Sequence, residues 1–447
     1  MYYGILLPIG LVVVYFFFFK FDIIYLLIAF ATPLSVNLLS ASTGNNLSLP
    51  SELLLIGAAA FVIFHAILSK EENMPQIAKH NVSKVIYFYL GWIFITACTS
   101  QLPIVSFKSL ASTLWFVIPL YFGGLFYFQK KNNIRYFLWA HTIALIIVVF
   151  YTLYVHGSHG FSKEVGHWAM SPFYNDHTAY GAILALFIPV VFAFLFDKKS
   201  SKIEKFFALV AGSILVVALY FSYSRAAWVS LIAAIGVFAI VIFRIKFRWV
   251  LVIFVSFAAL FYVYQFQILD KMQKNKQDSS ENFTEHVRSI SNISSDASNL
   301  ERINRWQAAI SMFKEKPLFG FGPGTYQFEY APYQRSMDKT IISTNFGNMG
   351  NAHSEYLGPL SEQGLLGLVN FTLLAIFSLI TGFRVYKKSE NQSDKVIALG
   401  ISLGLITYFV HGFLNNFLDT DKLSVPFWSL ISILVALDIK RKSEIRN

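Results

Sequence analysis

About thirteen stretches of mostly apolar residues follow one another along this chain, at 3–19, 22–40, 51–69, 84–101, 107–128, 134–155, 177–196, 204–221, 226–243, 248–268, 355–383, 395–416 and 424–439. A helix of roughly 20 such residues crosses a hydrocarbon core about 30 Å thick. Backbone polar groups in lipid must be satisfied within the segment, so continuous apolar runs of this length select the membrane helix. The expected fold is an all-α polytopic bundle of 12 to 13 transmembrane helices. With 55% hydrophobic and only 14% charged residues, the chain lacks the polar surface of a soluble domain. Its start, MYYGILLPIG, has no basic region, so the run through Phe19 is expected to be a first span and not a cleaved signal.

The connections alternate in charge. KKNNIR, DKKSSKIEK, RIKFR, VYKKSENQSDK and the tail IKRKSEIRN are basic, whereas the turns between them carry almost no lysine or arginine. Under the positive-inside rule the basic side is cytoplasmic. It holds 22 of the 36 Lys and Arg residues, and 10 of the other 14 lie in one long loop, 269–352. That loop is therefore expected outside. The net charge of +11 reports topology and gives no reason to expect nucleic acid. A single cysteine, Cys98, excludes an internal disulfide and a thiolate metal cluster. The expected organisation is an N-terminal bundle (1–268), a large outer loop (269–353) and C-terminal helices (354–447), forming one integrated membrane domain.

The long loop changes character along its length. It opens on the polar stretch KMQKNKQDSSENFTEHVRSISNISSDASN. In ERINRWQAAISMFKEKP, residues Ile303, Trp306, Ala309, Ile310 and Phe313 fall at helical spacing, predicting an amphipathic helix ended by Pro317. LFGFGPGTYQFEY follows, where Gly320, Gly322, Pro323 and Gly324 predict a tight turn with exposed backbone.

Ionisable groups that a bilayer makes costly mark candidate sites. Arg225, in YFSYSRAAWVSL, stands alone between two apolar segments. It is either an interfacial arginine satisfied by carbonyls or a cation facing an outer cavity, where its planar fork suits phosphate oxygens. Arg302 and Arg305, three apart on the amphipathic helix, share a face and could serve one anion site or merely solvate the helix. His353 sits at the lip of an apolar run in NAHSEYLGPLSEQGLLGL, with Glu355 and Tyr356 beside it. Histidine is the side chain best suited to take a proton near neutral pH. His177, in PFYNDHTAYGA, is the competing base, and His411, within a span, is expected to bond another helix. Asp419 and Asp421 form a D-x-D of the kind that holds a divalent cation against a sugar diphosphate, here in a short turn beside Lys422.

Three stretches together resemble the O-antigen ligase family of bacterial polytopic glycosyltransferases, which spans lipopolysaccharide ligases, polymerases and protein O-oligosaccharyltransferases. They are SRAAW at 224–228, the run from Arg302 and Trp306 to PLFGFGPGTY at 317–326, and HSEYLGPLSEQGLLGL from His353. The resemblance covers most of the chain from about residue 170; the earlier part matches only as generic spans. It implies a GT-C-like enzyme in the bacterial inner membrane with its site facing the periplasm. The implied donor is a glycan on undecaprenyl diphosphate, and the implied acceptor is a hydroxyl of lipid A-core, a growing polymer or a protein. It further implies His353 as base, Arg225, Arg302 and Arg305 as diphosphate ligands, and His177, Glu355 and Tyr356 in supporting positions. No cofactor or metal is expected, transfer would invert the anomeric carbon, and a single subunit among membrane lipids suffices. A transporter for a lipid-linked sugar is the rival from another class; no inverted repeat of the kind transporters show is visible.

Overall fold

The computed structural model describes residues 20–39, 46–68, 74–130, 132–246, 297–336 and 350–446, with isolated positions in 248–264 and at 339 and 343. The expected span 3–19, most of the expected span 248–268 and the polar stretch 271–296 lie outside the described residues. Among the described residues, ten helices are long and apolar enough to cross a membrane. They are α2 (Ser51–Leu68), α3 (Asn81–Cys98), α4 (Pro103–Tyr127), α5 (Asn133–Ser158), α6 (His177–Phe196), α7 (Lys202–Phe221), α8 (Arg225–Ile242), α10 (Leu357–Lys388), α11 (Gln392–His411) and α12 (Asp421–Arg446). Before them stands α1 (Phe21–Leu34); between α8 and α10 stands α9 (Ala297–Glu315), the amphipathic helix of the long loop. The architecture is an all-α polytopic membrane fold.

One expected span is corrected. The stretch 22–40 is not a single helix: α1 has 14 residues and stops at Leu34, and an antiparallel hairpin of β1 (Val36–Leu39) and β2 (Asn46–Leu49) follows, with Val36 opposite Leu49. Composition is the reason. Thr32, Pro33, Ser35 and Asn37 break the apolar run, and Ser35 turns its hydroxyl onto Asp421 at 2.5 Å.

A continuous apolar core runs from Ile24 in α1 to Ile439 in α12. The C-terminal helix α12 is its axis, buried along its whole apolar window. Among the described residues the most extensive helix pairing is that of α6 with α11, where glycines replace side chains. A Cβ on Gly400 would stand 2.6 Å from Ala193 Cβ, and one on Gly404 would stand 2.5 Å from the Leu186 carbonyl. Without a hydrophobic drive between helices in lipid, such small-residue contact is what holds them. The loop carries a separate small core of Ala308, Ala309, Met312, Phe321, Tyr326, Tyr330 and Ala352.

Charges gather at the two ends of the bundle. At the basic end, Arg135 pairs with Asp197 and Glu204, while Asp438 is held by Arg384 (3.2 Å), Arg441 (2.9 Å) and Lys442 (3.1 Å). At the opposite end the D-x-D turn is a clamp for the N-terminal hairpin. Asp421 Oδ2 accepts hydrogen bonds from Ser35 and Ser51 at 2.5 Å each. Lys422 Nζ donates to the carbonyls of Thr32 (2.7 Å) and Ser35 (2.6 Å) and lies over the Tyr174 ring. Replacing Lys422 by Met strands these buried acceptors at a cost of about 1–3 kcal/mol. Thermal unfolding in detergent is expected to show a lower midpoint for Lys422→Met than for wild type.

Candidate functional site

The loop attaches near the start of α10, around its eighth residue. Gly364 has φ 70° and ψ −164°, a conformation open to glycine alone, and it breaks the helix one turn inside its apolar part. A break at membrane depth frees backbone groups that must find partners. The glycine-rich turn of the loop supplies them: Phe321 N–H donates to Ser361 O (3.2 Å), Gly322 N–H to Glu362 O (2.8 Å), and Leu365 N–H to Pro317 O (3.0 Å). Trp92 Nε1 of α3 takes the Gln363 carbonyl at 2.9 Å, and the Glu362 carboxylate accepts from Tyr326 N–H at 3.0 Å. The fit leaves no room for side chains. A Cβ on Gly320 would lie 2.3 Å from the Glu362 carbonyl carbon, and one on Gly364 2.1 Å from Leu318 O. The two glycine-rich motifs are thus halves of one joint, which fixes the loop against the bundle.

Above this joint α9 presents its arginines. Arg305 is buried and engaged within the loop: its Nε donates to Glu301 at 2.7 Å, its guanidinium lies 4.8 Å from the Tyr330 ring centre, and Nη1 reaches Asn351 O at 3.3 Å. A Cβ on Gly350 would collide with it at 1.7 Å, so the glycine before Asn351 is what lets the guanidinium pass. Trp306 Nε1 donates to the His353 carbonyl (3.4 Å), and Asn351 Oδ1 accepts from His353 N–H (3.1 Å). These contacts hold His353 at φ 47°, left-handed backbone that a non-glycine residue adopts only when its surroundings impose it.

Arg302 faces the other way. Its Nε donates to Leu414 O, in the turn between α11 and α12, at 3.2 Å. Its charge acts on His353, and those of Arg225 and Asp176 act on it in turn. Arg225 is the first residue of α8, and Asp176 caps α6, its Oδ1 accepting from Thr178 N–H (2.7 Å) and Ala179 N–H (2.8 Å). These two helix starts lie side by side because Gly181 leaves space for Ser224: a Cβ there would stand 2.5 Å from Ser224 Cβ. Three segments distant in sequence therefore bring Asp176, Arg225, Arg302 and His353 into one field at one end of the bundle. Burial lowers the His353 imidazole to about 4, with Arg302 and Arg305 lowering it further and Glu301 and Asp176 opposing. The ring is neutral near neutral pH, the form in which it accepts a proton.

His177 opens α6 and stacks on His167, ring centres 4.3 Å apart. Glu355 and Tyr356 both make hydrogen bonds to the bundle. The Glu355 carboxylate accepts from Tyr408 Oη (2.5 Å) and from the N–H groups of Phe417 (2.8 Å) and Leu418 (3.0 Å); burial raises it to about 7 against the pull of these bonds. Tyr356 Oη donates to Phe409 O at 3.1 Å, and its ring stacks on Phe413. His411 bonds Asn415 (3.1 Å) in the turn that follows α11, where a bond to another helix was expected. Among the described residues there is no group of three or more His, Cys, Asp or Glu placed to hold a metal ion. Sequence reading missed Asp176 and His167. For Asp176 the signal was present, an aspartate directly before an apolar helix; for His167 there was none.

The joint yields a sharp contrast. Gly364→Ala forces an alanine into glycine-only backbone, about 1–3 kcal/mol before any clash, whereas a Cβ on Gly358 meets nothing nearer than 3.9 Å. Gly358→Ala is expected to purify and melt like wild type, and Gly364→Ala to melt lower or be lost from membranes, as read by fluorescence-detected size exclusion.

An uncharacterized protein of Haemophilus influenzae is 27% identical over 240 residues, which cover 52% of this chain and 55% of that protein. The matched region thus spans about half the length of the curated relative. Residues 210–372, from within α7 through Arg225, the loop and His353 to the joint in α10, match the family model described as O-antigen ligase. Over residues 210–372 the chain is thus similar to the O-antigen ligase family.

Proposed function

We propose that this chain is an inner-membrane glycosyltransferase that moves a glycan from undecaprenyl diphosphate to an acceptor hydroxyl, that of lipid A-core, at the periplasmic face. The observation that carries the reading is the convergence of a neutral, strained histidine with two arginines from separate segments at the end of the bundle opposite the basic connections. The chemistry requires a base for the hydroxyl and positive charge for the departing diphosphate. His353 takes the hydroxyl proton as the acceptor oxygen bonds to the anomeric carbon. The bond from that carbon to the diphosphate oxygen breaks, its electron pair leaves with the diphosphate, and the configuration inverts. Arg225 and Arg302 pair with the phosphate oxygens, with guanidinium forks in place of a divalent cation. Arg305, bound to Glu301, Tyr330 and Asn351, positions the His353 segment instead of touching the donor.

Acceptor chemistry distinguishes the readings within the family. Loss of the lipopolysaccharide ladder in a deletion strain supports the ligase; loss of free polymer or of glycoprotein redirects the assignment to a polymerase or an oligosaccharyltransferase. In membranes with normal protein levels, His353→Ala and Arg225→Ala are each expected to lower glycan transfer by about 10²–10³-fold or more. Near-wild-type transfer by either variant removes that residue from the mechanism. Transfer is expected to survive EDTA; loss in EDTA restored by magnesium would return Asp419 to consideration.

The pH profile follows from the charges around His353. A base lowered to about 4 stays unprotonated above that value, so kcat/KM in respect of this group is expected to be level from mildly acidic to neutral pH and to fall only in stronger acid. Removing the positive charge in Arg302→Gln raises the imidazole, so the acid limb of the residual activity moves toward neutrality. In Asp176→Asn, where a carboxylate that raises it is lost, the limb moves the other way.

A further inference from the structure

Two imidazoles stand at the wall of the site and take no part in the steps above. His167 follows the short helix Lys163–Gly166, and His177 is the first residue of α6; their ring planes lie 11° from parallel. The turn that carries His167 is anchored to the segment that delivers Arg225. Gly166 packs so closely that a Cβ there would lie 2.5 Å from the Tyr223 ring, and Tyr223 Oη donates to Phe161 O at 3.1 Å. The stack is therefore built onto the arginine's own strut. Arg225 acts on both rings and Arg302 on His177.

The remaining charged groups near the pair come from four directions. Lys163 and Glu164 stand on the short helix, Asp176 precedes His177, and His411 on α11 shares the field of Arg302 and Asp176. His353 comes from the loop, and at the end of α5 the His156 ring is bonded to Ser162 O at 2.8 Å. Asp176 already commits Oδ1 to three hydrogen bonds from Thr178 and Ala179. Among the described residues, Lys163, Arg225 and Arg302 thus act on the two parallel rings as cations, against the carboxylate of Asp176. In that field a proton on the His167 ring is unfavourable until an anion arrives, and mutual repulsion within the stack then admits one proton and not two.

We propose that the His167–His177 stack is the proton-accepting part of the donor-diphosphate subsite, neutral when the site is empty and carrying one proton when a diphosphate lies against Arg225. This rests on the diphosphate reading above. When the glycosidic bond breaks, the electron pair leaves with the diphosphate, which gains one negative charge. The proton of the acceptor hydroxyl goes to His353; the pair takes a separate proton from solvent and gives it back when the diphosphate departs. The stack then stabilises the more highly charged leaving group over the bound donor, which is the differential binding that accelerates a reaction.

The test is calorimetry of inorganic pyrophosphate binding to the full chain in detergent, at slightly alkaline pH, in two buffers of different ionisation enthalpy. Wild type and His353→Gln are expected to take up about one proton on binding. His167→Phe and His177→Phe keep a ring in the stack but cannot hold the proton, so each is expected to lose the uptake and to bind about tenfold more weakly. His167→Gln and His177→Gln repeat the measurement without a ring. Binding that depends on Arg225 but shows no proton uptake, or uptake untouched by the Phe and Gln variants, overturns the role of the pair and leaves the diphosphate reading in place. Binding indifferent to Arg225→Ala overturns both.

Discussion

A helix broken inside a membrane needs partners for the backbone groups it gives up, and here the long loop provides them. Gly364 opens α10, and the carbonyls of Ser361 and Glu362 together with the Leu365 N–H are taken by residues 317–322. Because these are backbone bonds in a buried setting, neither half is stable without the other. The loop core of Ala309, Met312, Phe321 and Tyr326 sits on that joint, α9 sits on that core, and α9 carries Arg302, Arg305 and Trp306. Everything known of the geometry at His353 descends from this docking.

The second constraint is electrostatic. An arginine near the membrane boundary is costly unless something compensates it, and this site gathers two with one nearby capping carboxylate. Arg302 spends its Nε on a carbonyl, and Asp176 spends Oδ1 on the start of α6. Burial first, and the charges of Arg302 and Arg305 after it, keep His353 neutral. The same field argues against a transporter, whose charged groups line a path near the bilayer midplane; these groups stand at helix starts and in a loop.

The resemblance motifs were legible as a set, but not for the reason each residue is there. Gly320, Gly322 and Gly324 announced a tight turn, and the turn is real; that its backbone completes a broken helix some forty residues later has no local signature. Arg302 and Arg305 looked equivalent, three apart on one helix. They differ because Glu301, Tyr330 and Asn351 surround one and the Leu414 carbonyl meets the other. The D-x-D pair has the spacing of a metal site, though no metal was expected there, and Asp421 is a buried clamp whose partners, Ser35 and Ser51, lie at the far end of the chain.

From sequence alone, apolar length determined that the chain forms membrane helices, the basic connections determined which ends face together, and three motifs carried a resemblance to one family, since each of these rests on composition or spacing within one segment. The 22–40 stretch shows where that reasoning fails: apolar content alone could not reveal that Thr32, Pro33 and Ser35 end the helix to feed Lys422 and Asp421. Only the tertiary structure decided which charges share a field, which arginine is engaged within the loop, and that His167 stands beside His177. Those outcomes depend on contacts between residues tens to hundreds of positions apart, and no local pattern encodes the distance between two elements until glycines such as Gly181, Gly350 and Gly364 let them close.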